Sequence, residues 1–146
     1  MPTIIPGYVY SLFAALLVGV ILVYTCSVAT VNIKADANQQ QLKNIEQYVA
    51  AQSLTLISHT TQNQNTTQSL DIPPQIGNQL FWIRITNDSS TAWVESGFGD
   101  TALSSDVHEA IPAQVAASGS FISGSGRPLL ECYLENGVAT LTLTQE

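Results

Sequence analysis

Hydrophobic residues dominate the first quarter of the chain without interruption. From Tyr8 to Ile33 the sequence reads YVYSLFAALLVGVILVYTCSVATVNI, which is 26 residues without a charged side chain. At a rise of about 1.5 Å per residue, a helix of this length exceeds the roughly 30 Å hydrocarbon core of a bilayer. The pattern therefore predicts a helix that lies in lipid or in an equally apolar assembly.

The hydrophobic period continues after Ile33, where the composition turns polar. Residues 34–57 contain neither Gly nor Pro, so nothing in this stretch predicts a helix break. Apolar side chains recur there every three or four residues, which is typical of a helix with one apolar stripe. They are Leu42, Ile45, Val49 and Leu56. We therefore predict one helix over residues 1–58, apolar all round at first and amphipathic later.

A polar tract follows this helix. It runs from Thr60 to Ser69, is rich in Thr, Asn and Gln, and is followed by Asp71-Ile72-Pro73-Pro74. Such a composition predicts a linker or exposed loop, which we place at residues 59–77.

Strand signals dominate residues 78–146, the predicted globular head. Leu80–Thr86 and Ala92–Phe98 flank a turn-forming cluster. Asn136-Gly137 favours a two-residue type I′ turn between two alternating runs. Pairing Glu135 with Val138 then places one set of side chains on a common, inward face. This set comprises Leu130, Cys132, Leu134, Ala139, Leu141 and Leu143.

The segment between these hairpins is predicted to be partly helical. Residues 105–117 suit a short helix capped near Ser105 and broken by Pro112, and Phe121-Ile122 then opens another strand. The fold class is therefore α+β. One long N-terminal helix precedes a small antiparallel β-sheet or sandwich of four to six strands, which needs the helix or a neighbouring subunit to cover it.

Charge restricts the possible partners. The chain has four Lys and Arg against eleven Asp and Glu, a net charge of −7. Neutralising phosphates requires clustered cations, so the composition argues against nucleic-acid binding. We also expect the apolar segment to be retained, because a secretory signal has a basic n-region and a shorter apolar run. A lipoprotein cleavage before Cys26 is disfavoured, because Tyr24-Thr25 is not small.

Residues with reactive side chains do not form a recognisable catalytic or metal site. Cys26 lies in the apolar helix and Cys132 on the inward face of the last hairpin, so two free thiols are expected. His59 and His108 lack neighbouring ligands at metal-binding spacing. We therefore predict no enzyme activity, no cofactor, no metal and no small-molecule substrate. Two triplets, at Asn65 and Asn87, match the N-glycosylation acceptor pattern.

This layout of an apolar helix, an amphipathic continuation and a β-rich head resembles the type IV pilin superfamily, and archaeal pilins and archaellins in particular. The resemblance rests on Tyr8 to Leu56. Bacterial members typically carry a glutamate near the fifth mature position, where this chain has Ile5, so the archaeal type fits better. The resemblance implies a homo-oligomeric helical filament on the cell surface, with the protein held in the membrane before assembly.

The assembly helix is the functional site that this resemblance implies. Its contact residues are Leu12, Phe13, Leu16, Leu17, Val20, Ile21, Val23, Leu42, Ile45 and Val49. Two alternatives stay open from the sequence. One is a single-pass membrane protein with an extracytoplasmic binding head, such as a pilin-like accessory component of a surface-filament machine. The other is a subunit of some other membrane complex.

Overall fold

A computed structural model describes residues 4–60, 65–88, 91–101 and 108–146. The chain divides into two compact units, Met1–Ala37 and Asn38–Glu146. Helix α1, Ile4–His59, supplies the described part of the first unit and the beginning of the second.

Helix α1 confirms the predicted single long helix. Pro6 lies in its first turn, where the N–H group that proline lacks would have no intrahelical partner. At the other end, Thr60 closes the last turn with its backbone N–H (3.0 Å) and its hydroxyl (2.8 Å), which both donate to the Leu56 carbonyl. Residues 20–59 contain neither Gly nor Pro, which explains why the helix continues after the composition becomes polar.

Within the described residues, seven strands follow the helix and form one sheet. In chain order they are β1 (Thr66–Ser69), β2 (Phe81–Asn87), β3 (Ala92–Phe98), β4 (His108–Ile111), β5 (Val115–Ile122), β6 (Pro128–Glu135) and β7 (Val138–Gln145). Their order in the sheet is β1-β6-β7-β5-β2-β3-β4. The α+β class is therefore confirmed, although the sheet is larger than predicted. It is also mixed rather than antiparallel, because β5 runs parallel to β7.

Both predicted hairpins are present. β2 pairs with β3, and β6 pairs with β7 in the register deduced from the sequence, with Glu135 opposite Val138. Asn136 (φ 52°) and Gly137 (φ 83°) have the two positive φ angles that a type I′ turn requires. Most of the inward set is fully buried, but Leu134 and Ala139 are half-buried.

The predicted short helix over residues 105–117 is wrong where the structure describes it. His108–Ile111 is strand β4, and Val115 begins strand β5; residues 105–107 lie outside the described residues. The local sequence had suggested a capped helix, but β4 pairs with β3 and β5 pairs with both β7 and β2. These long-range ladders override a weak helical preference.

The predicted linker at residues 59–77 also contains ordered structure. Strand β1 lies within it and pairs with β6, while Leu70 (3% exposed) and Ile76 (1% exposed) are buried. This segment therefore forms part of the second unit.

The core of the second unit lies between one face of α1 and the inner face of the sheet. The helix contributes Leu42, Ile45, Val49, Ala50 and Leu56. The predicted stripe of Leu42, Ile45, Val49 and Leu56 is confirmed. Gln52, a polar residue on the same face, is half-buried and accepts a hydrogen bond from the side chain of Gln68 at 2.6 Å. The strands contribute Phe81, Ile83, Ile85, Val94, Phe121, Leu130, Cys132, Leu141 and Leu143.

Candidate assembly surface

The first unit presents an exposed helix that is mostly apolar from Gly7 to Ala37. Every side chain from Gly7 to Ala37 is exposed. The large hydrophobic side chains between Tyr8 and Ile33 are 43–76% exposed. By length and composition, α1 is able to cross a membrane. We call residues 8–33 the apolar segment.

Three hydroxyl groups within the apolar segment form hydrogen bonds with the backbone of the helix itself. Ser11 donates to the Tyr8 carbonyl at 2.9 Å, and Thr30 donates to the Cys26 carbonyl at 2.8 Å. The Thr25 hydroxyl lies 3.0 Å from the carbonyl oxygens of Ile21 and Leu22. Polar groups must find partners inside the chain when water is absent, so these bonds suit an apolar environment.

Small residues produce a shallow groove on this helix. Ala15 and Gly19 lie one turn apart. Apart from the adjacent residues and the backbone of the helix itself, no atom of the described residues lies within 4 Å of a Cβ built on Gly19. Larger side chains form the rest of the lining, namely Leu12, Leu16, Val20 and Val23. Small residues spaced in this way let a second helix backbone approach closely.

The predicted assembly residues fall into two groups. The group in the apolar segment is exposed and comprises Leu12, Phe13, Leu16, Leu17, Val20, Ile21 and Val23. The other group, Leu42, Ile45 and Val49, is buried in the core of the second unit. The apolar surface of this second group is therefore already occupied by the sheet.

Polar contacts inside the second unit fix α1 against the sheet. The Ser96 hydroxyl donates to Glu46 Oε1 at 2.6 Å, and both residues are buried. Burial raises the pKa of the Glu46 carboxyl, and the negative charge of Glu109 adds to this effect. The hydrogen bond from Ser96 and the charge of Lys43 act in the opposite direction. Glu46 is therefore a buried carboxyl whose charged form is disfavoured by the fold.

A second polar cluster, on strands β2, β3 and β4, was not identified from the sequence. Glu95 is 4% exposed, and its Oε2 accepts hydrogen bonds from Nε and Nη2 of Arg84. Its Oε1 accepts one from the Trp93 indole at 2.7 Å. The ring of His108 lies 5.4 Å from that of Trp93. The hydrogen bonds from Arg84 to Glu95 therefore join β2 to β3, and the ring contact between Trp93 and His108 extends the cluster to β4.

The β2–β3 register would have revealed this cluster. Arg84 pairs directly with Glu95, and Glu95 pairs with His108 on the next strand. Opposite charges on paired positions of one face are the signal that sequence reasoning overlooked.

The two cysteines are free thiols in different units. Cys26 is exposed on the apolar segment, and Cys132 is buried in the sheet core. Of the two histidines, His108 contacts Trp93, whereas His59 is the last residue of α1 and is exposed.

The two glycosylation triplets differ in their surroundings. Asn65 is exposed just before strand β1. Asn87 ends strand β2, where its side-chain oxygen accepts a hydrogen bond from the Ala117 N–H at 3.1 Å and its Nδ2 donates to the Asp88 carbonyl at 2.9 Å. Asn87 thereby connects β2 to β5 at the point where their ladder has ended.

Comparison of the chain with protein-family models, curated proteins and solved structures gives no significant match. Function is therefore argued below from the exposed apolar segment and from the layout of the two units.

Proposed function

We propose that this chain is the structural subunit of an extracellular, type IV pilus-like filament. It inserts into the membrane as a precursor and polymerises with identical copies through its apolar segment, with the β-rich unit exposed. In this role it is not an enzyme and uses no cofactor. The reason for choosing this kind of polymer is the resemblance of the layout to archaeal pilins and archaellins.

The observation that carries the proposal is the complete exposure of the uncharged helix surface from Gly7 to Ile33. Leaving a Leu, Ile or Phe side chain in water rather than burying it costs about 1.5–3 kcal/mol. A surface with many such residues must be in lipid or against other apolar surfaces. A bundle of identical helices supplies an environment as dry as the bilayer, so the transfer from membrane to filament costs little.

The different use of the two halves of α1 also supports the proposal. The second half is occupied by the sheet, through Leu42, Val49 and Leu56. The first half has no partner within the described chain and carries the small residues that close helix contacts require. Assembly through the first half alone leaves the fold of the second unit unchanged.

A single-pass membrane anchor is the competing function, because the same helix suits a bilayer equally well. In that case the β-rich unit binds a partner outside the cytoplasm, and the apolar segment contacts only lipid. Experiments must therefore separate helix–helix contact from membrane insertion.

Leu17→Lys tests whether the apolar environment is needed. A lysine at the centre of a membrane helix costs about 3 kcal/mol on insertion. Burying the same lysine among apolar helices in a polymer has a similar cost for each copy. Negative-stain electron microscopy of cells should show filaments for the wild type and none for Leu17→Lys. The matched control is Gln47→Lys, which adds the same charge at an exposed position of the second unit and should leave filaments intact. Normal filament abundance in Leu17→Lys would refute the proposal.

Gly19→Leu separates the filament from the anchor. The larger side chain has free space in the isolated chain and is more apolar, so folding and membrane insertion should persist. In a filament it should obstruct the close approach of neighbouring helices and reduce filament number or length at least several-fold. Membrane fractionation, read alongside microscopy, checks insertion. Unaltered filaments in Gly19→Leu would favour the membrane anchor. So would a wild-type protein that forms no filaments and remains a small species in detergent.

A further inference from the structure

Asn65 lies at the beginning of an open edge of the sheet. It directly precedes β1, the strand at one end of the sheet order. Within the described residues β1 pairs only with β6, so its outer edge presents unpaired backbone groups. An uncovered edge strand is a template for pairing with another chain.

Strand β1 lacks the usual protection of such an edge. Its four residues, TTQS, include neither a charged side chain nor a proline. Thr67 and Ser69 are exposed, whereas Thr66 and Gln68 are half-buried. A bulky hydrophilic group beside β1 would therefore prevent unwanted strand pairing without disturbing the core.

The side chains of the two acceptor asparagines are used differently. Asn65 and Asn87 are both exposed, and within the described residues the Asn65 amide has no hydrogen-bond partner. The Asn87 amide forms hydrogen bonds through both its oxygen and its nitrogen. The bond to its oxygen comes from Ala117 and connects β2 to β5. A substituent on Asn87 Nδ2 would have to coexist with that bridge, whereas one on Asn65 meets no such restriction.

We propose that Asn65 is the acceptor of an N-linked glycan that shields the β1 edge, and that Asn87 stays unmodified as a structural residue. This inference rests on the proposed function only in requiring export of the β-rich unit. The donor is a lipid-linked oligosaccharide. A bond forms between Asn65 Nδ2 and the anomeric carbon of the first sugar. The bond from that carbon to the lipid phosphate oxygen breaks, and its electron pair stays on the phosphate. The Nδ2 proton passes to a base of the transferase.

Intact-mass and glycopeptide mass spectrometry of the protein isolated from the cells that make it provides the test. Three variants leave both asparagines in place. Thr67→Ala removes the first acceptor triplet at an exposed position, Thr67→Ser preserves it, and Ser89→Ala removes the second triplet. We expect the wild type, Thr67→Ser and Ser89→Ala to carry the glycan on the peptide containing Asn65. Thr67→Ala should have the mass of the polypeptide alone.

Three results would overturn the inference: a wild type at the bare polypeptide mass, a Thr67→Ala variant with unchanged glycan, or loss of the glycan in Ser89→Ala. Electron microscopy of the same preparations distinguishes this failure from that of the proposed function. Filaments built from unglycosylated protein would refute only the glycan. A glycan at Asn65 on a membrane-bound species without filaments would refute only the filament.

Discussion

Glu46 shows how one residue can depart from its sequence pattern. As a charged side chain on an amphipathic helix it would be assigned to the solvent face, yet it is 4% exposed. It follows Ile45 and lies on the same helix face as Leu42 and Val49, so the sheet covers it as well. The hydroxyl of Ser96 meets the carboxyl there and satisfies one of its oxygens. Only the packing of the sheet on the helix decides this environment.

The raised pKa of Glu46 makes the stability of the second unit depend on pH. The folded chain holds the Glu46 proton more tightly than the unfolded chain, whose carboxyl has the ordinary pKa of a glutamate. The contribution of Glu46 to the free energy of unfolding is therefore fully present below the ordinary pKa and decreases as pH rises through the raised folded value. Glu46→Gln keeps an acceptor for Ser96 but removes the charge. It should be more stable than the wild type at pH 7, by about 1.4 kcal/mol for each unit of the shift.

Urea unfolding in mild detergent measures this difference. Trp82 and Trp93 are the two tryptophans of the chain and both lie in the sheet, so their fluorescence reports on the second unit. The wild-type and Glu46→Gln curves should approach each other near pH 4. An exposed carboxyl provides the control, since Glu135→Gln should change stability little at either pH. A gap between wild type and Glu46→Gln that does not vary with pH would contradict the prediction.

The strands show which elements the local sequence encodes. Hairpins β2–β3 and β6–β7 join neighbouring segments, and their turn residues could be recognised in the sequence. Only the end of strand β5, at Phe121-Ile122, was predicted as a strand. The rest was missed because its partners are distant: residues 115–119 pair in parallel with β7, and residues 120–122 pair antiparallel with β2. Gly119 (φ 120°) lies where β5 changes partner. A Cβ at this position would lie 2.1 Å from the Leu143 carbonyl oxygen, so only glycine allows the two strands to approach.

Gly119→Ala should therefore weaken the sheet severely. Alanine at such a φ costs on the order of 1–3 kcal/mol through backbone strain alone, and the clash with the backbone of β7 adds to it. Gly99→Ala is the matched control, because Gly99 has nearly the same φ (119°) and free space around its Cα. Urea unfolding followed by tryptophan fluorescence should show a clearly larger loss for Gly119→Ala. Equal losses for the two variants would mean that the close approach to Leu143 is unimportant.

In the whole molecule, the division of the chain does not follow the end of the helix. The sequence suggested a helix of residues 1–58 separate from a head beginning at residue 78. The second unit instead begins at Asn38 and includes the last part of α1 and strand β1. Its core draws side chains from this part of the helix, including Leu42, Val49 and Leu56. The inner face of the sheet thus has its cover within the same chain.

Truncation tests this division. A fragment of residues 38–146 keeps the helix face, β1 and the whole sheet, and lacks the apolar segment. It should be soluble and cooperatively folded by circular dichroism and thermal unfolding. A fragment of residues 70–146 exposes the inner face of the sheet and should aggregate or lack a cooperative transition, because the buried helix side chains contribute about 1.5–3 kcal/mol each. A cooperatively folded, monomeric 70–146 fragment would show that the helix is dispensable.

Local pattern was sufficient for the apolar helix, its amphipathic continuation and the Asn136-Gly137 hairpin. Each depends on side chains that are close in the sequence and on a period of 3.6 or 2 residues. The apolar side chains from Leu12 to Val23 could be recognised for the same reason, and the structure shows that they are exposed.

Tertiary structure alone decided the rest. Strand β1, the parallel β5–β7 ladder and the Arg84–Glu95 pair depend on contacts between distant segments, which no local pattern records. It also decided which apolar residues remain free for a neighbour. Leu17 and Leu42 look alike in a helical pattern. Leu42 is buried because the sheet packs on that part of the helix, whereas Leu17 is exposed.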